Sequence, residues 1–320
     1  MSISTAIRQS RRSPSVGYLQ EDMSLSLKFF TKLLVGAVGR LPIVSAIAWH
    51  PSVHGRLAKM PGAHVLLGNG WNRIHPFDRA HGTDTSGCVP VEELYFSDAA
   101  RVHANCYGGS QPSILRRALA ALPSVNSYTF LDLGCGKGRA LLVASELPFR
   151  DIVGVELSAP LAAIARRNAA IIAHGDPQRT VVRIAETDAS TFPIPAGDVV
   201  LFMYHPFGAE LVAKVVQAVE AALVTERRSI FIIYYNPVAG HVFDVSQQLM
   251  RRFARMLPYA AEERGYGPDL EDPVVIWQGG TAPCPTEPAD AKILVVRDDR
   301  ALVLEEPYGG NITQSTAAVR

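Results

Sequence analysis

The clearest chemical signal in this chain is the segment Asp132-Leu133-Gly134-Cys135-Gly136-Lys137-Gly138-Arg139. Glycines let a backbone turn sharply and pass close to a ligand. A loop that seats a pyrophosphate on a helix N-terminus has the spacing Gly-x-Gly-x-x-Gly. Here the third glycine comes one residue early, and the carboxylate of Asp132 precedes the first. A carboxylate suits a ligand with an ammonium group and would repel a pyrophosphate.

Two further acidic residues stand where strands are predicted to end. Glu156 closes the run Val153-Gly154-Val155-Glu156, 24 residues after Asp132. A carboxylate at that position can accept hydrogen bonds from both hydroxyls of a ribose. Asp188, with Ala189 after it, follows the next predicted strand and could accept from an adenine amino group. Capping of a helix N-terminus is the alternative role for both carboxylates.

Alternating strands and helices are predicted to position these groups. Strands are expected over Thr129–Leu133, Asp151–Glu156, Thr180–Ile184, Asp198–Tyr204 and Ser229–Tyr235, and helices over Arg139–Leu147, Pro160–Ala173 and Ala209–Val224. The strands are continuous apolar runs, which is typical of strands covered on both faces. The alternation predicts an α/β fold with a doubly wound, mostly parallel seven-stranded sheet and helices on both faces.

The remaining segments are predicted less regularly. Residues 1–106 are expected to form an N-terminal extension, and residues 107–320 the main domain. The extension is predicted as a loose tail over Met1–Gln20, helices within Met23–Ala48, an irregular segment over Pro51–Pro90 and a helix over Val91–His103. The main domain adds helices over Gln111–Leu122 and Val242–Met256, and strands over Pro273–Gln278, Lys292–Arg297 and Ala301–Glu305.

Together these motifs resemble the class I methyltransferases that use S-adenosylmethionine, over roughly residues 107–236. The resemblance implies this cofactor, held by Tyr107, Asp132, Gly134, Cys135, Gly136, Gly138, Glu156, Leu157, Asp188 and Ala189. Within the class, the chain resembles a group of uncharacterised bacterial methyltransferases. The shared segments read here Gly82-Thr83-Asp84-Thr85-Ser86-Gly87, Tyr107-Gly108-Gly109-Ser110-Gln111-Pro112 and Tyr204-His205-Pro206-Phe207. A more distant resemblance extends to the non-SET histone-lysine methyltransferases.

The loop after the fourth strand is the expected place for groups that face the methyl acceptor. In amino-methylating relatives an Asn, Asp or Ser begins this motif, and His205 takes its place here. A neutral imidazole can accept a hydrogen bond or act as a general base near neutral pH. His205 and Tyr204 are therefore the predicted catalytic residues, and Phe207, Asn236 and Thr85 the predicted substrate-lining residues. Packing or turn roles are the alternative for each.

Composition constrains partners only broadly. The 320 residues carry a net charge of +1, so no nucleic acid is expected as a specific partner. Residues 1–60 hold eight Lys and Arg against two Asp and Glu, and this basic segment could touch a membrane surface. The four cysteines form no Cys-x-x-Cys pair, so no metal is expected and isolated thiols suit a cytoplasmic location.

The sequence leaves the acceptor open between a protein and a small molecule, and the target atom between nitrogen and oxygen. Two other classes of function also stay open. One is a non-catalytic module that binds S-adenosylmethionine, because His205 departs from the usual acceptor motif. The other is a nicotinamide-dependent oxidoreductase, against which the glycine spacing and Asp132 both argue.

Overall fold

The computed structural model describes residues 42–57, 60, 73–94, 105–267, 269–281, 292–297 and 300–305. The chain divides into two compact units, Met1–Asn69 and Gly70–Arg320. In the first unit, helices α1 (Pro42–Ala48) and α2 (Pro51–Leu57) are described. The tail predicted over Met1–Gln20, and the predicted helical residues before Pro42, lie outside the described residues.

The second unit contains the remaining elements. Its helices are α3 (Pro76–His81), α4 (Pro112–Ala120), α5 (Arg139–Ala144), α6 (Ala159–Gly175), α7 (Ala209–Thr225) and α8 (His241–Asp244). Its strands are β1 (Cys88–Val89), β2 (Tyr107–Gly108), β3 (Thr129–Leu133), β4 (Asp151–Glu156), β5 (Val182–Glu186), β6 (Val199–Tyr204), β7 (Ser229–Tyr235), β8 (Leu249–Pro258), β9 (Glu271–Gly280), β10 (Lys292–Arg297) and β11 (Arg300–Glu305). Short 3-10 helices lie at Val91–Glu93 and Ala261–Glu263.

A seven-stranded sheet in the order β5-β4-β3-β6-β7-β9-β8 forms the centre of this unit. The first five strands in that order are parallel, and β9 is antiparallel to both β7 and β8. From β3 the chain moves outward through β4 to β5, and it then returns to β6 on the other side of β3. This reversal is the switch point where open α/β sheets bind ligands, and the predicted fold class is confirmed.

Alternate residues of the strands pack into two separate hydrophobic cores, one on each face of the sheet. On β3, Phe130 packs with residues of α4 and α5, whereas Leu131 packs with residues of α7. Because successive strand side chains point to opposite faces, continuous apolar strands bury both faces of the sheet under helices. The strands that flank the switch point, β3, β4 and β6, are therefore almost completely buried.

The prediction of a helix over Val242–Met256 is wrong. The structure has the short α8 followed by β8, which pairs with β9 at the edge of the sheet. A register shift between Arg251 and Phe253 breaks the two-residue alternation of β8. The buried positions Leu249, Ala254 and Leu257 are consequently spaced at five and three residues, so the alternation by which a strand is recognised in sequence is lost.

Two predictions for residues 51–103 also need correction. The segment Pro51–Pro90 is not irregular throughout, because α2 and α3 form within its described parts, each with a proline at its first position. The helix predicted over Val91–His103 is described only as the 3-10 turn Val91–Glu93, and residues 95–104 lie outside the described residues. No helix among the described residues is long and apolar enough to cross a membrane.

The compact unit that contains the central sheet begins at Gly70, whereas the main domain was predicted to begin at residue 107. The reason is a set of side-chain contacts from residues 75–87 to the glycine-rich turn, described below. Residues 70–106 of the predicted extension therefore belong to the larger unit.

Candidate active site

A glycine-rich turn joins β3 to α5 at the carboxyl edge of the sheet. Gly134, Gly136 and Gly138 have φ angles of 82°, 54° and 88°, which L side chains rarely adopt. A Cβ atom on Gly134 would lie 2.6 Å from Pro206 Cβ, and one on Gly136 would lie 2.3 Å from the ring of Tyr107. The turn therefore needs glycine both for its backbone conformation and for the close approach of neighbouring residues.

A cavity of about 370 Å³ opens above this turn, between the ends of β3, β4 and β6. Its volume is in the range of ligand pockets. Twelve of the fifteen predicted site residues line it: Tyr107, Asp132, Gly134, Cys135, Gly136, Glu156, Leu157, Asp188, Ala189, Tyr204, His205 and Phe207. The strand ends predicted to converge thus enclose a single cavity.

Two buried carboxylates, Asp132 and Glu156, share the floor of the cavity. Asp132 is 2% exposed, and no hydrogen bond to its carboxylate is found among the described residues. Burial, followed by the nearby charge of Glu156, raises the pKa of Asp132 well above its usual value. A buried carboxylate without a hydrogen-bond donor is costly, so a cationic donor in this cavity would stabilise it.

The carboxylate of Glu156 is fixed by the backbone of the neighbouring loops. Oε2 accepts from Gly136 N and Oε1 from Ser158 N, both at 2.8 Å. Burial raises the pKa of Glu156 despite these backbone hydrogen bonds, which act to lower it. Each carboxylate oxygen has further lone pairs, and both can still accept from hydroxyl groups of a ligand in the cavity.

The opposite side of the cavity is formed by the ends of β4 and β5. Leu157, 40% exposed, follows Glu156 directly and presents an apolar side chain to the cavity. Asp188 is exposed, and its Oδ1 accepts from Ser190 N at 2.8 Å, so one oxygen serves the local turn. Ala189 lies beside it in the cavity wall. This side of the cavity therefore combines apolar surface with a carboxylate.

The loop after β6 carries His205 in a left-handed conformation, with φ of 39°. Such a conformation is uncommon for a non-glycine residue and concentrates at functional sites. Asn105 Nδ2 donates to the carbonyl oxygen of His205 at 2.7 Å and holds the loop in place. The Nδ1 atom of His205 lies 3.4 Å from Tyr234 Oη. Its ring borders the cavity together with Pro206 and Phe207.

Tyr204 stands before His205 and stacks on Tyr235 at 4.1 Å between ring centroids. Burial, and then the charge of Asp272, raises the pKa of Tyr204 well above its usual value, so its phenol stays protonated. Behind it, Tyr235 and Tyr259 both donate to Asp272 Oδ2 at 2.5 Å. This wall of the cavity is therefore supported by a buried carboxylate that two phenols share.

The segment Gly82–Gly87 attaches to the glycine-rich turn through charged side chains. Lys137 Nζ donates to Asp84 Oδ1 at 3.0 Å and to Ser86 O at 2.7 Å. Arg139 Nε donates to Thr85 Oγ1 at 2.7 Å, and Arg139 Nη2 donates to Thr85 O at 2.8 Å. These contacts join residues more than fifty positions apart and fix the first turn of α5.

The buried carboxylate of Asp78 stabilises the segment Gly82–Gly87 through hydrogen bonds. Its carboxylate accepts from the hydroxyls of Thr83, Thr85 and Ser86 and from Thr85 N. Burial alone would raise the pKa of Asp78, but the hydrogen bonds from Ser86, Thr85 and Thr83 outweigh it and lower the pKa. Tyr107 joins the cluster because its hydroxyl donates to Thr85 O at 2.7 Å.

Three predicted site residues do not line the cavity. Thr85 is fully buried behind it and acts on Arg139 and Tyr107. Gly138 serves the turn, where its φ of 88° and its contact with Ala165 require glycine. Asn236 accepts from Ala301 N through its Oδ1 at 2.9 Å, which connects β7 to β11. Thr85, Asn236 and Gly138 therefore lie outside the lining of this cavity, and the roles predicted for them stay predictions.

Sequence reasoning missed Asp78, Asn105, Lys137 and Arg139 as residues that shape the site. Arg139 also lines the cavity while 4% exposed. Lys137 and Arg139 stand inside the glycine-rich motif. Because Lys and Arg side chains are rarely buried unless they are paired, these two cations in a buried turn could have indicated acidic or polar partners elsewhere in the chain. Among the described residues, no group of three or more His, Cys, Asp or Glu side chains is placed to hold a metal ion.

Comparison with known proteins gives a family match for the central part of the chain. Residues 130–226, from β3 to the end of α7, match the family described as "Methyltransferase domain". The match covers less than a third of the chain and agrees there with the predicted resemblance to methyltransferases. The more distant resemblance to histone-lysine methyltransferases is not borne out. No curated protein matches the sequence significantly.

Solved structures with similar folds are distant in sequence. A putative class I S-adenosylmethionine-dependent methyltransferase from Listeria monocytogenes is 14% identical, with a TM-score of 0.41 over 55% of this chain and 62% of that one. The putative methyltransferase YhhF from Escherichia coli is 15% identical, with a TM-score of 0.40 over 53% and 86%. An RNA methyltransferase from Salinibacter ruber, in complex with S-adenosyl-L-homocysteine, is 19% identical, with a TM-score of 0.34 over 56% and 98%. These three structures are similar to this chain in fold only.

Proposed function

We propose that the cavity binds S-adenosylmethionine and that the protein transfers its methyl group to a nitrogen or oxygen nucleophile of a protein or small-molecule acceptor. The observation that carries the proposal is the carboxylate of Asp132, buried in the cavity wall with no hydrogen-bond donor from the described residues. An amino acid ammonium group satisfies both its charge and its hydrogen-bonding capacity.

The chain's residues fit the other parts of this cofactor. Gly134 and Gly136 provide a cradle that a Cβ atom would fill, and the ring of Tyr107 covers Gly136. Glu156 offers acceptor oxygens to two ribose hydroxyls at the end of β4, as carboxylates do at this position of nucleotide-binding sheets. Leu157 and Ala189 offer apolar contact to the adenine ring, and Asp188 an acceptor for its amino group.

When bound, the cofactor supplies an electrophilic methyl group on a sulfonium. The chain's own task is then to align the acceptor and to exclude water, which in well-oriented reactions contributes ~7–11 kcal/mol. Tyr204, His205 and Phe207 form the wall available for the acceptor. In this proposal, the His205 imidazole accepts the proton that the nucleophile loses, and the protonated Tyr204 phenol donates a hydrogen bond to the acceptor.

Transfer of a labelled methyl group tests this function. The purified protein is incubated with S-adenosylmethionine labelled on the methyl carbon and with an extract of cells from its source organism. Label entering protein or small molecules above a reaction without enzyme supports the proposal and identifies the acceptor class. Tight binding of the cofactor without any transfer would instead indicate the non-catalytic module.

A further inference from the structure

Two cysteines that are far apart in the sequence meet beside the cavity. Cys88 lies on β1, which pairs antiparallel with β2 so that Cys88 is opposite Gly108. Cys106 stands two residues before Gly108, and residues two apart along a strand point to the same face. Cys88 and Cys106 are therefore diagonal neighbours, close enough for Cys106 to raise the pKa of the Cys88 thiol. The prediction of isolated thiols does not hold for this pair.

The two thiols differ in their surroundings. Cys88 is half-buried, whereas Cys106 is exposed and lines the cavity. Burial, and then the proximity of Cys106, raise the pKa of Cys88 to about 11, so its thiol is protonated at neutral pH. A protonated thiol is a poor nucleophile toward peroxides and disulfides.

The register of the strands argues against a direct disulfide. Diagonal neighbours across two antiparallel strands have Cα atoms ~7–8 Å apart. Disulfides usually join Cα atoms ~4.4–6.8 Å apart, and larger separations need backbone movement. One atom bonded to both sulfurs spans a longer distance than an S–S bond, so the geometry favours bridging by a third atom.

We propose that Cys88 and Cys106 form a dithiol site for a single thiophilic centre of the trivalent arsenic type, and that its occupation obstructs the adjacent cavity. The obstruction follows from the position of Cys106, which is a cavity residue and directly precedes Tyr107. Because the Tyr107 ring covers Gly136, a group held on the Cys106 sulfur disturbs the covering of the glycine-rich turn.

The bridging reaction requires no oxidant. With phenylarsine oxide, two S–As bonds form while the As–O bond breaks, and the oxygen leaves as water together with both thiol protons. Arsenic stays trivalent and both sulfurs keep their oxidation state. An adduct on two thiols resists competition by a monothiol, whereas an adduct on one thiol is displaced.

Intact-mass spectrometry of the full chain tests the site. The wild type, Cys88→Ser, Cys106→Ser and the control Cys284→Ser are treated with one equivalent of phenylarsine oxide in the presence of excess glutathione. We expect one adduct on the wild type and on Cys284→Ser, and none on the other two variants. An adduct that persists on Cys88→Ser or Cys106→Ser, in protein with a native circular dichroism spectrum, would overturn the site.

Calorimetry with S-adenosylhomocysteine tests the obstruction, and this arm rests on the proposed function. The arsenical should weaken binding to the wild type by about tenfold or more, and leave binding to Cys88→Ser unchanged. Equal affinity of bridged and untreated wild type would overturn the obstruction. Failure of the untreated protein to bind would count against the proposed function instead, and the mass measurement would still decide whether the dithiol exists.

Discussion

The ring of Tyr107 lies directly over Gly136, so closely that a Cβ atom on the glycine would come within 2.3 Å of the ring. Tyr107 is held there by its hydrogen bond to Thr85 O and by the cation of Lys137, 5.7 Å from the ring centroid. The glycine-rich turn is therefore covered by a fixed aromatic side chain, and the covering depends on a segment that precedes the sheet by many residues.

Replacement of Gly136 by alanine tests this contact. The φ of 54° is unfavourable for alanine, and the Tyr107 ring would have to move. We expect Gly136→Ala to lower the free energy of unfolding by ~1–3 kcal/mol and to weaken S-adenosylhomocysteine binding. Gly175→Ala is the matched control, because nothing lies within 4 Å of its Cβ position. Equal stability and affinity of the two variants would contradict the covering role of Tyr107.

The hydroxyl of Thr85 connects Asp78 to Arg139 inside the larger unit. Thr85→Val keeps the shape of the side chain but leaves Asp78 Oδ1 without one donor and Arg139 Nε without its acceptor. Unsatisfied buried polar groups of this kind cost ~1–3 kcal/mol. Chemical denaturation should show this loss for Thr85→Val and almost none for Thr225→Val, whose hydroxyl is exposed at the end of α7. A loss below that range would mean that the cluster does not hold the segment to the turn.

Stability should depend on pH through Asp272. Burial raises its pKa in the folded protein to about 6, although the phenols of Tyr235 and Tyr259 and the cation of Arg300 act in the opposite direction. An unfolded aspartate titrates at ~3.9. Because the folded state binds this proton more tightly, its contribution to stability grows as the pH falls from 6 to 4, by ~2–3 kcal/mol.

Asp272→Asn isolates that contribution, since the amide cannot ionise. The difference in unfolding free energy between the wild type and Asp272→Asn should change with pH between 4 and 6 and be constant from pH 7 to 8. A difference that does not vary with pH would show that the carboxylate titrates in its ordinary range.

His205 is expected to act in transfer rather than in cofactor binding. His205→Asn and His205→Ala both remove the imidazole, but asparagine tolerates the left-handed backbone better than alanine. Both variants should bind S-adenosylhomocysteine with nearly wild-type affinity. Initial rates of methyl transfer to the labelled acceptor should fall by ~10²–10⁴-fold, the usual size of general-base catalysis. A normal rate for His205→Asn would remove the imidazole from the mechanism.

The sequence predicted those parts of the fold that local pattern determines. Glu156 and Tyr204 each end a continuous apolar strand, and Asp132 is the last but one residue of another. Parallel strands bring their carboxyl ends to one edge of the sheet. The convergence of these residues on one cavity followed from topology alone. The same reasoning failed for β8, where a register shift interrupts the alternation of buried residues that marks a strand.

Long-range hydrogen bonds are the contacts that the sequence did not predict. Thr85 reaches Arg139 across fifty-four residues, and Asn236 reaches Ala301 across sixty-five. Contacts over such separations leave no periodic pattern in the sequence. Sequence analysis therefore could not predict that Thr85 and Asn236 form hydrogen bonds within the protein. The proximity of Cys88 and Cys106 was missed for the same reason, because β1 and β2 are each only two residues long and leave no pattern in the sequence.

The measurement that tests the central claim most directly is calorimetric binding of S-adenosylhomocysteine to Asp132→Asn and Glu156→Gln, with the exposed Asp176→Asn as control. Loss of a hydrogen bond to a charged group costs ~1.5–3 kcal/mol, so each cavity variant should bind roughly 10–100-fold more weakly than the wild type. Asp176→Asn should bind like the wild type. Unchanged affinity in both cavity variants, with native circular dichroism spectra, would contradict the proposal that these two carboxylates hold the cofactor.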